Sequence, residues 1–239
     1  MRILLASDLH YRLPQYDWLV GVAGEYDAVA LPGDHLAIAG SVPLAAQIVV
    51  VDRYLARLGE RTTLVTCSGN HDLDGAGPHG ERMSRWIRRV AHPGVHVDES
   101  AVAVKGVRFS ACPWWDGPVT RAALEGFLEA ESAERGEAWV WLYHSPPAET
   151  GLCSNGKRRF PDEDLLGWIR RFQPSFVLCG HIHEAPWAPD GAWAAQLGTT
   201  WVFNAGSLAG PVPPHVVIDT DAGLAHWICP PKQASVALR

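Results

Sequence analysis

Five short clusters in this sequence combine carboxylates, an amide and imidazoles at spacings that can hold divalent cations. They are Asp8-x-His10, Gly33-Asp34, Gly69-Asn70-His71-Asp72, His144, and Gly180-His181-x-His183. Residues i and i+2 on extended backbone face the same way, so Asp8 and His10 can converge on one point, and so can His181 and His183. A mixed set of nitrogen and oxygen donors suits Mn, Fe, Co, Ni or Zn, rather than Ca or Mg alone. The ligands are too many for one ion, which points to two. A lone histidine at a strand end is more often a hydrogen-bonded structural residue than a ligand. On that ground His35, His79, His92, His96, His215 and His226 are read as structural. For His10, His71, His144, His181 and His183 the joint pattern favours a site.

Each cluster follows a run of apolar or β-branched residues that reads as a strand: 3–7, 27–31, 62–66, 138–143 and 175–179. Chemistry held where a strand ends is a common arrangement in α/β proteins. Helices are expected between them. One opens at Pro14, with Tyr16, Leu19 and Val20 as its apolar face. A second follows Pro43, where Leu44, Ile48, Val51, Leu55 and Leu58 keep amphipathic spacing until Gly59 stops it. A loop with Gly75, Gly77, Pro78 and Gly80 leads to an expected helix over 81–90, with Arg82, Arg85, Arg88 and Arg89 on a solvated face. Strands 102–104 and 107–112 turn at Lys105-Gly106. A further helix buries Leu124, Phe127 and Leu128. The last starts at Asp162-Glu163-Asp164 and buries Leu165, Trp168, Ile169 and Phe172. The tail reads as strands at 200–203 and 216–219. Alternating strands and helices, then mostly strands, suit mixed sheets with helices outside. No repeat or linker divides the 239 residues, so one domain over 1–239 is expected.

The net charge of −6 argues against nucleic-acid binding through a broad basic surface, because such binding relies on many phosphate contacts. Lys157, Arg158 and Arg159 fall in a polar loop after His144 and read as solvated. Trp114 and Trp115 could stack on a ring or cover the core edge; the core edge is the expectation. Five cysteines without C-x-x-C spacing read as small core residues in a reducing compartment. The apolar start, residues 2–6, is too short for secretion or a membrane span. A soluble, cytoplasmic protein is expected, its oligomeric state open.

The ordered clusters resemble the calcineurin-like metallophosphoesterases, and Asn204-Ala-Gly-Ser207 resembles the turn near that domain's end. The resemblance implies a four-layer αββα sandwich, two mixed β-sheets flanked by helices. It implies that Asp8, His10, Asp34 and His183 hold one divalent ion and that Asp34, Asn70, His144 and His181 hold another, with Asp34 bridging. It also implies that His71 sits beside the substrate as general acid or charge stabiliser. Asp72 either orients a ligand or caps the next turn. The implied activity is hydrolysis of phosphomonoesters or phosphodiesters, small molecules or nucleotides. A nuclease-type phosphodiesterase and a non-catalytic scaffold of the same fold are the alternatives. Gly33-Asp34 is followed by His35-Leu36-Ala37-Ile38. The protein Ser/Thr phosphatase branch has a further Asp three residues on, then Arg-Gly. The resemblance therefore does not extend to that branch, and His71 must be oriented by another group.

Overall fold

The structure is a computed structural model that describes residues 1–77 and 79–238. Pro78, counted above in the glycine-rich loop, lies outside the described residues. In chain order the elements are β1 (Arg2–Leu5), α1 (Leu13–Val22), β2 (Ala28–Pro32), α2 (Leu44–Gly59), β3 (Thr63–Cys67), β4 (Gly75–Ala76), β5 (Arg82–Met83), β6 (Val95–His96), β7 (Ser100–Val104) and β8 (Val107–Ala111). They continue with α3 (Pro118–Ser132), β9 (Ala138–Leu142), α4 (Glu163–Phe172), β10 (Phe176–Cys179), β11 (Ala194–Leu197), β12 (Thr200–Asn204), β13 (His215–Asp219), β14 (Leu224–Cys229) and β15 (Lys232–Ala237).

Among the described residues one sheet runs β15-β14-β13-β1-β2-β3-β6 and a second runs β11-β12-β10-β9-β8-β7. The two-residue side-chain period of a strand sorts the core into layers. Ile3, Leu5, Ala28, Ala30 and Val65 of the first sheet meet Phe109, Val140, Leu142, Leu178 and Phe203 of the second in one buried cluster. The alternate residues Leu4, Val29, Leu31 and Leu64 face outward onto Tyr16 and Leu19 of α1 and Val51, Leu55 and Leu58 of α2. On the far side Trp139, Trp141, Val177 and Cys179 cover Leu124 and Leu128 of α3 and Leu165, Trp168 and Ile169 of α4. The result is the expected four-layer αββα sandwich.

β1, β2, β3 and β6 run parallel, as do β8, β9, β10 and β12. Strands joined by crossovers deliver their carboxyl ends to one edge, where ligands gather in open α/β sheets. All five candidate clusters leave from those ends.

Three expectations fail. Residues 81–90 do not form a helix. Arg82 and Met83 pair with Gly75 and Ala76 as a short hairpin, and only Ile87–Arg89 makes a single 3-10 turn. The carboxylate of Asp74 takes the Arg85 and Trp86 N–H groups, and Asp116 takes that of Arg82, so tertiary partners replace helical ones. There is then no helix C-terminus for the arginines to serve; Arg88 instead makes a bidentate pair with Glu99. In addition, β11 and the β14–β15 hairpin extend the sheets beyond the tail strands expected.

Candidate metal centre

The ligand-bearing loops are short and tightly turned. Asp8, His10, Asp34 and His181 all sit in left-handed backbone, with φ of 55°, 45°, 56° and 67°. Asp and His tolerate that region better than most residues do. Asp8 and His10 therefore converge through turned backbone and not through strand alternation, which corrects the extended-chain reading. Glycines let the loops meet. A Cβ on Gly69 would lie 2.7 Å from Asp34 N and 2.9 Å from a ring carbon of His144.

The side chains form three overlapping groups: Asp8, His10 and His183; His10, Asp34 and His71; and Asp34, His144 and His181. Within each, the ligand atoms all lie within 4.8 Å of one another. Asp34 belongs to two of them, with its Oδ2 3.8 Å from His10 Nε2, 3.8 Å from His71 Nε2 and 3.3 Å from His144 Nε2. His183 Nε2 stands 3.2 Å from Asp8 Oδ1 and 2.9 Å from His10 Nε2. Two ring tautomers are set by carbonyl oxygens, which only accept: His144 Nδ1 donates to Pro32 O at 2.7 Å and His10 Nδ1 to Leu36 O at 3.2 Å. Both rings thus turn Nε2 inward, the atom a metal would take. Burial lowers His10 and favours its neutral ring. Burial also opposes charge on His144, but Asp34 and Asp8 outweigh it and push that ring up to about 9, so His144 would give up its Nε2 proton on taking a metal. Asn70 Oδ1 is buried without a hydrogen-bond partner, and buried His144 Nε2 has only the Asp34 carboxylate, 3.3 Å away. Buried polar atoms are seldom left so, and a cation satisfies both. The residues present thus fit a metal.

Charge agrees with this. Burial opposes ionisation of Asp34, but His144, His71 and His10 outweigh it and hold its carboxyl below the usual range. Burial likewise opposes ionisation of Asp8, and its bond with His183 overcomes that. Burial pushes His181 down to about 4, so its ring is neutral near pH 7. His183 and His71 are the most open members, with side chains 36% and 28% exposed, so solvent reaches the centre from their side.

Residues 1–223 match the family model for the calcineurin-like phosphoesterase superfamily domain. The chain belongs to that superfamily. UPF0046 protein K07C11.7 of Caenorhabditis elegans is 25% identical over 199 residues, which cover 77% of this chain and 64% of that protein. The match thus spans less than two thirds of that relative. TT1561 of Thermus thermophilus superposes with a TM-score of 0.61 at 18% identity, over 100% of this chain and 99% of that one. The purple acid phosphatase PPD1 of yellow lupin (Lupinus luteus) seeds gives 0.55 at 14% identity, over 95% of this chain and 50% of that one. At such identities the likeness is one of fold.

In this calcineurin-like phosphoesterase domain, residues outside the candidate ligand set position the centre. Asn204 donates through Nδ2 to Gly180 O and Ile182 O and accepts from Gly206 N, which fixes the loop of His181 and His183. Ser207 Oγ donates to Asp8 O, and Arg12 donates to both. Asp72 caps its own turn and not the next one, and bonds backbone rather than a candidate ligand side chain. Its carboxylate accepts from Gly69 N within its own turn, and from His35 N and Leu36 N just beyond Asp34. His71 lies in a 3-10 turn (Asn70–Asp72). Its backbone N donates to Asp34 Oδ1 at 2.9 Å, and its ring meets that of His10 edge-on at 4.7 Å. Trp115 packs on the outer core as expected. Trp114 does not; its ring lies 5.5 Å from that of His181 and 5.7 Å from that of His144. It is held there by its N–H to Ser68 Oγ, which in turn donates to buried Asp98. Among the described residues no helix is long and apolar enough to cross a membrane.

Proposed function

We propose that this domain is a dinuclear metal-dependent hydrolase of small phosphoesters, nucleotides included, acting as one unit over residues 1–239. Asp8, His10, Asp34 and His183 would hold one ion. Asp34, Asn70, His144 and His181 would hold the other, with Asp34 shared. The convergence of Asp34 with His144 and His181 beside the buried, unpartnered Asn70 Oδ1 carries the reading. When bound, a pair of Mn, Fe, Zn, Co or Ni ions lowers the pKa of water and neutralises phosphoryl oxygens.

The chain's own groups do the rest. Pro32 O and Leu36 O keep the His144 and His10 rings in the ligating tautomer. Asp72 ties the Asp34 loop to the Asn70 loop. His71 is poised to give a proton to the departing alkoxide or to stabilise charge on the phosphoryl group. No arrangement of the described residues calls for a covalent intermediate.

The test is metal content by elemental analysis after Mn-supplemented purification, with turnover of p-nitrophenyl phosphate and its bis-ester on the same samples. About two ions per chain and chelator-sensitive turnover are expected. Full activity with no more than one tight ion would contradict the dinuclear reading, and two ions without turnover would contradict hydrolysis.

A further inference from the structure

Beside His181 the surface opens into a hollow of about 620 Å³. One wall is aromatic. Trp114 lies parallel to buried Tyr143, with centroids 6.5 Å apart and planes at 10°, while Trp115 and Phe160 extend the apolar lining. Four carboxylates also line the hollow: Asp116, Asp162, Glu163 and Asp164. None of the described residues lining the hollow is Lys or Arg. Two of the carboxylates are committed. Asp162 accepts from Leu165 N and Tyr143 OH, and Asp164 pairs with Arg121. The other two are not. Glu163 has no hydrogen-bond or ion-pair partner among the described residues, and Asp116 accepts only the Arg82 N–H.

π faces beside free carboxylates attract a cation with an apolar skin and repel a second anion. The position matters as much as the chemistry. The hollow begins at His181, one of the residues that on the proposed function would hold the metal pair binding the phosphoryl group. A substituent on that group, one or two carbons beyond the ester oxygen, has this hollow to enter. We propose that the hollow receives the alcohol part of the substrate and selects a cationic one, a phosphoester of an amino or quaternary-ammonium alcohol. Hydrolysis would then add water across one P–O bond, releasing that alcohol or its phosphate. A nucleoside monophosphate would offer a flat base to the aromatic side chains but no cation to the carboxylates.

The inference rests on the proposed hydrolysis, so the experiment reads the two separately. Full-length Mn-loaded protein is assayed with phosphocholine and with 3,3-dimethylbutyl phosphate, the same shape without the charge. A kcat/KM ratio of about tenfold or more in favour of the charged ester is expected, the size of a partly desolvated cation–π contact. In Glu163→Gln/Asp116→Asn the ratio should fall toward one, and Trp114→Leu should lower it independently. A ratio near one in the parent, or better turnover of nucleoside monophosphates, would overturn the assignment. Glycerophosphocholine and phosphatidylcholine vesicles, compared with phosphocholine, show whether the cationic alcohol is taken best from a soluble diester, a lipid or the free monoester. Turnover of p-nitrophenyl phosphate reports on hydrolysis itself. Should that be absent, calorimetric titration of the metal-free protein with choline decides. Binding in preference to 3,3-dimethylbutanol sustains the hollow's selectivity, and equal or no binding overturns it.

Discussion

Gly69→Ala should damage the centre with a single methyl group. Gly69 has φ −109° and ψ −175°, a conformation open to any L-residue, so backbone strain is not the issue. Space is. The new Cβ would stand 2.7 Å from Asp34 N and 2.9 Å from His144 Cδ2, where ordinary contact begins at 3.4 Å. The Asp34 and His144 loops must therefore part by roughly half an ångström or more. Overpacking of this kind costs about 1–3 kcal/mol, against a gain of about 0.4–1 kcal/mol from the stiffer unfolded chain. A net loss of about 1–2 kcal/mol is expected in urea denaturation under chelator. Displacing two ligands of the centre by such a distance should lower kcat/KM on p-nitrophenyl phosphate about 10²-fold at saturating Mn. Gly167→Ala is the control. Gly167 lies inside α4, exposed, and a methyl group there would meet nothing within 4 Å. There the same change should stabilise by up to about 1 kcal/mol and leave activity alone. A Gly69→Ala protein as active as the parent within twofold would refute the close approach of the two loops.

Three other outcomes follow from the same geometry. His71→Ala should keep its ion content yet lose about 10²–10⁴-fold in kcat, more on alkyl than on p-nitrophenyl esters; elemental analysis showing a lost ion would make His71 a ligand instead. Asp34→Asn should reduce turnover far more than Asn70→Ala, because Asp34 reaches two groups of the centre and carries charge; similar small losses in both at saturating metal would remove its bridging role. Asp98 supplies a pH signature: burial, opposed by bonds from Ser68, pushes its carboxyl up to about 6 from 3.8. The folded state then holds a proton that the unfolded state gives up, so Asp98 lowers stability progressively as pH rises from about 4 to about 6. Relative to the parent, Asp98→Asn should gain about 3 kcal/mol between pH 4 and pH 7, measured by urea denaturation under chelator; a pH-independent difference would contradict the shift.

The strands and most helices are legible in the sequence because their patterns are strong and local. Leu55 and Leu58 in α2, or Leu165 and Ile169 in α4, recur at helical spacing and are buried where that spacing puts them. The failures have a common cause in partners distant along the chain. Trp86, Ile87 and Val90 share a helical face on paper, but Asp74 and Asp116 capture the backbone N–H groups before them. Strand β15 has few large apolar residues and is mostly exposed, so only its pairing with β14 defines it. At the centre, residue types disclose the candidate ligands, since a carboxylate or imidazole declares its chemistry. Asn204 and Ser207 show only through the resemblance of their turn, and Asp98 not at all, because they act through bonds to backbone or to a serine that only the folded chain creates. Trp114 escapes sequence reading for a related reason: its neighbours at the centre, His144 and His181, are 30 and 67 residues further along.

The two sheets contribute unequally numbered but interdependent shares of the centre. Asp8, His10, Asp34, Asn70 and His71 leave one sheet, whereas His144, His181 and His183 leave the other. The bond from His181 N to Asp8 joins positions 173 residues apart, and that from His144 to Pro32 joins positions 112 apart. Contacts of such separation form late, after the entropy of closing long chain segments has been met. On the proposed reading, tight metal uptake in refolding must therefore trail the appearance of strand and helix, because neither sheet alone holds a complete set of ligands. A bound ion then acts as a latch between the sheets, favouring the docked state by mass action and slowing their separation.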